Sequence, residues 1–196
     1  MHQEMLRLKK ELVEAQTKIK KLKQQVRIDS LTQLYNKKAF EEDLARYISQ
    51  VNREDKKIVL CYMDLDHFKK INDTYGHQEG DRVLKTVAKT LVGQIRAIDR
   101  AYRIGGEEFA VILIGQKNWD PTSTLARIQK SITQETKKEK KSKVTTDITI
   151  SGGCIEYTKQ PEGTIKKIRE ELKKKADEHL YKAKHAGRNQ IIRAKN

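Results

Sequence analysis

Two six-residue runs constrain this chain most: "IVLCYM" (58–63) and "FAVILI" (109–114) are apolar without a break. Such runs belong to strands covered on both faces, not to strands with one wet face. Each run has carboxylates at one end. "GGEE" (105–108) precedes the second, and Asp64 and Asp66 follow the first. An unpaired carboxylate is costly to desolvate, so these acids must meet a neutralising partner at the strand ends. In α/β proteins the C-terminal strand end is also where ligands are held.

Around these strands the pattern alternates. Helices are expected over about 37–53, 79–95 and 122–137, and a last one over 164–186 that stops at Gly187. Strands are expected over about 57–65, 100–104, 108–114 and 145–157, the middle pair joined by the glycine turn. The fold class is therefore α/β (α+β), with a central sheet that contains an antiparallel hairpin and is flanked by helices. The domain covers 29–196. Residues 1–28 form a separate unit. Met5, Leu8, Leu12, Ala15, Ile19, Leu22 and Val26 recur at spacings of three and four, an a/d seam of two apolar positions per seven. A helix packed on its own domain would show a wider apolar stripe. The expectation is a parallel coiled-coil helix about 42 Å long that makes a homodimer.

A net charge of +15 calls for a polyanionic partner. The few aromatics are not interleaved with the basic residues, and no nucleic-acid-reading motif is present, so specific nucleic-acid binding is not expected. Much of the charge is lysine on solvated helix faces, and a nucleoside triphosphate is an equally good anion. No stretch reaches the roughly 18 apolar residues of a membrane span, and the start has no signal-peptide pattern, so a cytoplasmic protein is expected. Both cysteines, Cys61 and Cys154, fall in strand-like runs. They are expected to be reduced core thiols.

If the 57–65 strand lies beside the hairpin, Asp64 and Glu107 converge. Hard oxygen donors without a cysteine pair suit magnesium or manganese rather than zinc. With a triphosphate they can carry two metals about 4 Å apart for in-line phosphoryl transfer. Lys69, Lys184 and Arg188 are candidate phosphate partners. Taken singly, Asp64 reads equally well as a helix cap, and "GGEE" as an ordinary polar hairpin turn.

The segments "DSLTQLYNKKAF" (29–40), "DLDHFKKINDTYGHQEGDRVL" (64–84), "GGEEF" (105–109), "TISGG" (149–153) and "ADEHLYKAKHAGRN" (176–189) occur in order along the chain. Through them it resembles the diguanylate cyclases, the GGDEF domains of bacterial cyclic-di-GMP signalling. The resemblance implies a fold akin to the palm of polymerases and nucleotide cyclases. It also implies a reaction, the condensation of two GTP to cyclic-di-GMP with release of two pyrophosphates. Asp64 and Glu107, helped by the Leu65 carbonyl, would hold two Mg²⁺ or Mn²⁺ ions per site. Glu107 would also activate the ribose 3′-hydroxyl, with Glu108 a nearby metal or orienting carboxylate. Asn72 and Asp81 match guanine-binding positions. Lys69, Lys184 and Arg188 match phosphate contacts, with the backbone of His67 and Phe68 beside them. Gly105 and Gly106 leave room for the nucleotide. "RAID" (96–99) matches the family's product-binding RxxD, with Arg96 and Asp99 as the inhibitory site and Arg127 as a secondary contact. A surface helix-end salt bridge is the plain alternative for that pair. His77 is expected to be structural. The implied whole is the cytoplasmic output end of a longer bacterial sensor. A catalytically degenerate cyclic-di-GMP-binding module is the alternative, against which stand the intact Asp64, Asn72, Asp81, Gly105, Gly106 and Glu107.

Overall fold

The computed structural model describes residues 2–25, 27–138, 144–145, 147–159 and 163–194. The elements in order are α1 (His2–Gln25), β1 (Tyr35–Asn36), α2 (Lys37–Val51), β2 (Lys56–Leu65), α3 (Phe68–Tyr75) and α4 (His77–Gln94). They continue with β3 (Arg100–Arg103), β4 (Glu108–Gln116), α5 (Thr122–Lys138), β5 (Ile150–Thr158), α6 (Ile165–His185) and β6 (Ile191–Ala194). The strands form one mixed sheet in the order β1-β3-β4-β2-β5-β6.

The apolar run of β2 makes it the central strand. It pairs antiparallel with β4 on one side and β5 on the other. Alternation then divides the core in two. Val59, Cys61, Met63 and Leu65 face one cluster with α3, α4 and α5. Ile58 and Leu60 face a second cluster with α2 and α6, against which the half-buried Tyr62 packs. Helix α6 lies so close to β5 that a Cβ on Gly153 would strike its backbone at Ala176 and Leu180.

Several expectations are corrected. β5 begins at Ile150 rather than at 145, and α3, β1 and β6 are additional elements. α3 has only eight residues and follows His67 in a left-handed conformation (φ 58°), so no long apolar period announces it. Cys61 and Cys154 are joined by a disulfide rather than reduced. They sit directly opposite each other across β2 and β5, a juxtaposition that only the register reveals. α1 is helical as expected, and its Met5 and Leu12 are exposed. Val26, the side chains of Leu8, Ile19 and Leu22, and residues 139–143 of the lysine-rich loop lie outside the described residues. Among the described residues no helix is long and apolar enough to cross a membrane.

Asp66 pins the sheet end. Buried at 5% exposure, it accepts bonds from Ser151 Oγ (2.7 Å), Thr149 Oγ1 (2.7 Å) and the Asn189 amide (3.0 Å). One carboxylate thus joins β2, β5 and the turn after α6. Asp66→Asn would set an amide donor against these donors and is expected to cost about 2–4 kcal/mol. Urea denaturation that gives the wild-type midpoint for Asp66→Asn would contradict this anchoring role.

Candidate active site

The β2/β4 register sets Asp64 opposite Glu108, on the sheet face covered by α2 and α6. Ile104 and Gly105 both donate their N–H groups to the Glu108 carbonyl (2.9 and 3.3 Å), which closes the turn between β3 and β4. Leu65 N–H donates to the Glu107 carbonyl at 3.4 Å and brings that turn to the end of β2. Asp64 and Glu107 therefore converge as the strand adjacency required.

Their surroundings are dry and contested. Burial raises the Asp64 proton affinity, its ion pair with Lys184 opposes this, and Asp66 adds to it. The Lys184 ammonium lies 2.8 Å from Asp64 Oδ2. Glu107 is likewise pushed up, first by burial and then by the charge of Asp64, with Lys184 opposing. A buried carboxylate and a neighbour whose proton affinity it raises form a site with a deficit of positive charge. Among the described residues no group of three or more His, Cys, Asp or Glu side chains makes a metal cage. This chain offers two carboxylates and, at Leu65, a backbone carbonyl. Such a set suits Mg²⁺, which typically takes one or two carboxylates and completes its shell with water and substrate phosphates.

The glycine turn is informative. A Cβ on Gly105 would run into the Glu108 side chain, whereas a Cβ on Gly106 would meet open space. Neither glycine has positive φ. Nothing in the fold therefore demands a glycine at 106, and what the missing Cβ clears is the space outside the turn.

The turn after α6 flanks the carboxylates, and the start of α3 follows Asp66 directly in the chain. Gly187, Arg188 and Asn189 all have positive φ (104°, 63° and 46°). This left-handed turn after α6 is tied to Asp66 and brings Arg188 close enough to lower the Asp64 proton affinity. At the start of α3, the His67 side chain makes no capping bond. The first-turn N–H groups there, at Phe68 and Lys69, are the type that anions take. The Phe68 side chain itself is in the core, and Lys69 is exposed. Further along, the Asn72 amide lies against Gly80, where a Cβ would overlap it. The next residue, Asp81, is exposed on α4. His77 is exposed at the first position of α4.

The RxxD segment lies elsewhere, and its aspartate does something unforeseen. Asp99 is buried at 4% exposure. Its oxygens accept the Arg96 and Ile114 amides, both at 2.9 Å. It is a turn cap between α4 and β3, neither a free acceptor for a base nor an ion-pair partner of the Arg96 guanidinium. That guanidinium stacks 5.1 Å above the Trp119 ring. Arg127 donates to Gln94 Oε1 (2.9 Å) and to the Gln94 carbonyl (2.7 Å). A groove of about 450 Å³ lined by Arg96, Asp99 and Arg100 opens here, and none of Asp64, Glu107 or Glu108 lines it. Trp119 and Arg103 were not singled out from the sequence. Nothing in "AYRI" or "NWD" signals that their partners come from distant elements.

Comparison with known proteins agrees with the geometry. The family model for the diguanylate cyclase, GGDEF domain, matches residues 26–190. The chain is 40% identical over 176 residues to the uncharacterized protein YhcK of Bacillus subtilis, covering 88% of this chain and 46% of that protein. It is 35% identical over 190 residues to the diguanylate cyclase VdcA of Vibrio cholerae, covering 96% of this chain and 51% of that protein. It thus spans about half the length of the curated relatives it matches. Among solved structures, the coiled coil and GGDEF domain of DgcB from Caulobacter crescentus, in complex with c-di-GMP, superposes with a TM-score of 0.75 at 28% identity, covering 97% of each chain. The chain belongs to the diguanylate cyclase GGDEF domain family.

Proposed function

We propose that this chain is an active, Mg²⁺- or Mn²⁺-dependent diguanylate cyclase that condenses two GTP molecules into cyclic-di-GMP and releases two pyrophosphates. The observation that carries this reading is the Asp64–Glu107 pair, desolvated and mutually repelling beside Lys184 and an open glycine turn. Bound at Asp64, Glu107 and the Leu65 carbonyl, two divalent ions would supply charge neutralisation and polarise the phosphoryl oxygens. Lys69, Lys184, Arg188 and the N–H groups at the start of α3 hold the triphosphate. Asn72 and Asp81 take the guanine edge, where a carboxylate can accept both N1–H and N2–H₂. Glu107, whose proton affinity is already raised, accepts the 3′-hydroxyl proton as that oxygen attacks the α-phosphate of the second GTP, and Glu108 orients the turn.

One domain holds one GTP, so two domains must meet face to face. In this reading the α1 seam makes the homodimer and raises the effective concentration of the two halves. The exposed Met5 and Leu12 support it, as does the coiled coil of the DgcB chain, which this chain matches nearly end to end. The enzyme would act in the bacterial cytoplasm as the output end of a longer sensor. Product would inhibit through Arg96, with Arg127 contributing. Asp99 serves that site by fixing the Arg96 backbone rather than by contacting a base.

The direct test is incubation with GTP and Mg²⁺, with analysis for cyclic-di-GMP and pyrophosphate. Glu107→Gln and Asp64→Asn are each expected to lower turnover by about 10²-fold or more. Neither should lower the melting temperature near neutral pH. A carboxylate whose folded-state pKa is raised weighs against the fold once ionised, and a neutral isostere removes that burden. Turnover close to wild type in either variant would refute the assignment.

Gly106→Ala separates ligand contact from fold. It should melt with the wild type, because the space at its Cβ is empty, yet lose about tenfold or more in GTP affinity or turnover. Unchanged kinetics would place the nucleotide elsewhere.

Trp119, the one tryptophan of the chain, reports on the inhibitory site. Cyclic-di-GMP that recruits Arg96 from the indole should change the Trp119 emission. Arg96→Ala should abolish that change and remove the product plateau from progress curves. Inhibition that persists in Arg96→Ala would make the arginine a surface stacking residue.

A further inference from the structure

The turn that carries Glu107 is held from outside by one side chain. Arg103, the last residue of β3 and 15% exposed, spreads its guanidinium over two unlike partners. Nε and Nη2 both donate to the Gly106 carbonyl, at 3.1 and 2.8 Å. Nη1 donates to Asp29 Oδ1 at 3.1 Å. The Gly106 carbonyl belongs to the peptide whose nitrogen is that of Glu107, so the two bonds fix the plane from which the Glu107 side chain departs.

Asp29 is itself immobilised. It accepts the Thr32 amide (2.8 Å) and the Thr32 hydroxyl (2.6 Å), and its own N–H donates to the Leu34 carbonyl (2.7 Å). The same short segment is bound to the domain twice more. Asn36 pairs with Arg103 in the β1/β3 ladder, and Arg27 donates to the buried Asp43 at 2.8 Å. α1 ends at Gln25, immediately before this segment.

We infer that Arg103 is a positioning residue for the cyclase reaction proposed above, holding the Gly106–Glu107 peptide in place and tying it through Asp29 to the residues that directly follow α1. The need is physical. Two successive glycines leave the turn conformationally loose, and the link from β2 to this turn, Leu65 N–H to the Glu107 carbonyl, is long at 3.4 Å. A reacting group displaced by about 1 Å forfeits on the order of 10²-fold in rate. Lysine could keep the charge but could not hold one carbonyl with two parallel donors while a third reaches Asp29.

The inference rests on the cyclase reading, so its test has one readout that depends on activity and one that does not. The ligand-free wild type, Arg103→Lys, Asp29→Asn and the double variant are compared, all as the full chain. In Arg103→Lys, kcat for cyclic-di-GMP should fall about tenfold or more while the KM for GTP moves less than about threefold. Amide hydrogen exchange at Ile104 and Gly105, whose N–H groups close the turn on the Glu108 carbonyl, should accelerate by about tenfold or more, with the amides of β2 and β4 unchanged. Asp29→Asn should shift both readouts in the same direction by less. The double variant should match Arg103→Lys, since both residues act through one contact. Wild-type kcat, or unaltered exchange in the turn, overturns the inference. So does loss of protection throughout β2 and β4, which would make Arg103 a merely structural ion pair. If Arg103→Lys does not fold, Asp29→Asn carries the same two readouts. If the wild type forms no cyclic-di-GMP, the cyclase reading fails, and the exchange at Ile104 and Gly105 still decides whether Arg103 holds the turn.

Discussion

The antiparallel pairing of β2 with β4 on one side and β5 on the other sets Asp64 opposite both Glu108 and Ser151. Side chains alternate between the faces, so a slip of one residue would turn Asp64 into the core beneath α3 and α4 and bring Met63 to the site. The six-residue apolar runs prevent that slip. Each is buried on both faces, and the two faces have different partners, α3 to α5 on one and α2 with α6 on the other. A shifted strand would present the wrong shapes to both. The position of the carboxylates is thus secured by residues that never touch a ligand.

Two aspartates only two residues apart show how differently one strand end can use the same side chain. Asp66 has three donors from two segments, the start of β5 and the turn after α6, and is saturated. Asp64 has Lys184 and a hostile environment of burial and like charge. A carboxylate satisfied by its fold is part of the architecture, whereas one left short of positive charge awaits something the chain does not supply. By the same criterion Asp99, saturated by backbone amides, belongs with Asp66. The motif match alone would have grouped it with Asp64.

What could be read from the sequence followed from signals that are local. The apolar runs located β2 and β4, the glycine pair located the turn between β3 and β4, and Gly187 located the end of α6. Convergence of Asp64 with Glu107 needed only the guess that these strands are neighbours. What escaped depends on register or on distant partners. Cys61 and Cys154 are 93 residues apart and meet only because of the β2/β5 alignment. The Asp99 carboxylate is claimed by an amide 15 positions on, and the Arg103 guanidinium by an aspartate 74 positions back. α3 is short and begins at a left-handed histidine, and β6 is a half-buried strand of four residues, so neither displays a full period.

The charge of the chain and the charge of its site have opposite signs, and the proposed chemistry needs both. The whole chain carries +15, much of it as exposed lysines along α6, among them Lys166, Lys174 and Lys182. At physiological ionic strength the screening length is about 8 Å, so each lysine acts only near its own stretch of surface, and of these Lys182, in the last turn, is the one placed to gather anions at the end of α6. The candidate site itself sets Asp64, Glu107 and Glu108 against Lys184 and Arg188. A bare triphosphate drawn in by the lysines would meet carboxylates that repel it. A divalent cation without the triphosphate would meet Lys184 already bonded to Asp64. On the proposed reading the two would arrive together and neutralise each other's conflict, the phosphates held by the basic residues and the metal by the acids. Until then a proton is the cation that Glu107 holds more readily than an exposed glutamate would. A metal bound there as proposed would have to displace it, so affinity for the metal–nucleotide pair would tighten as pH rises through that elevated titration.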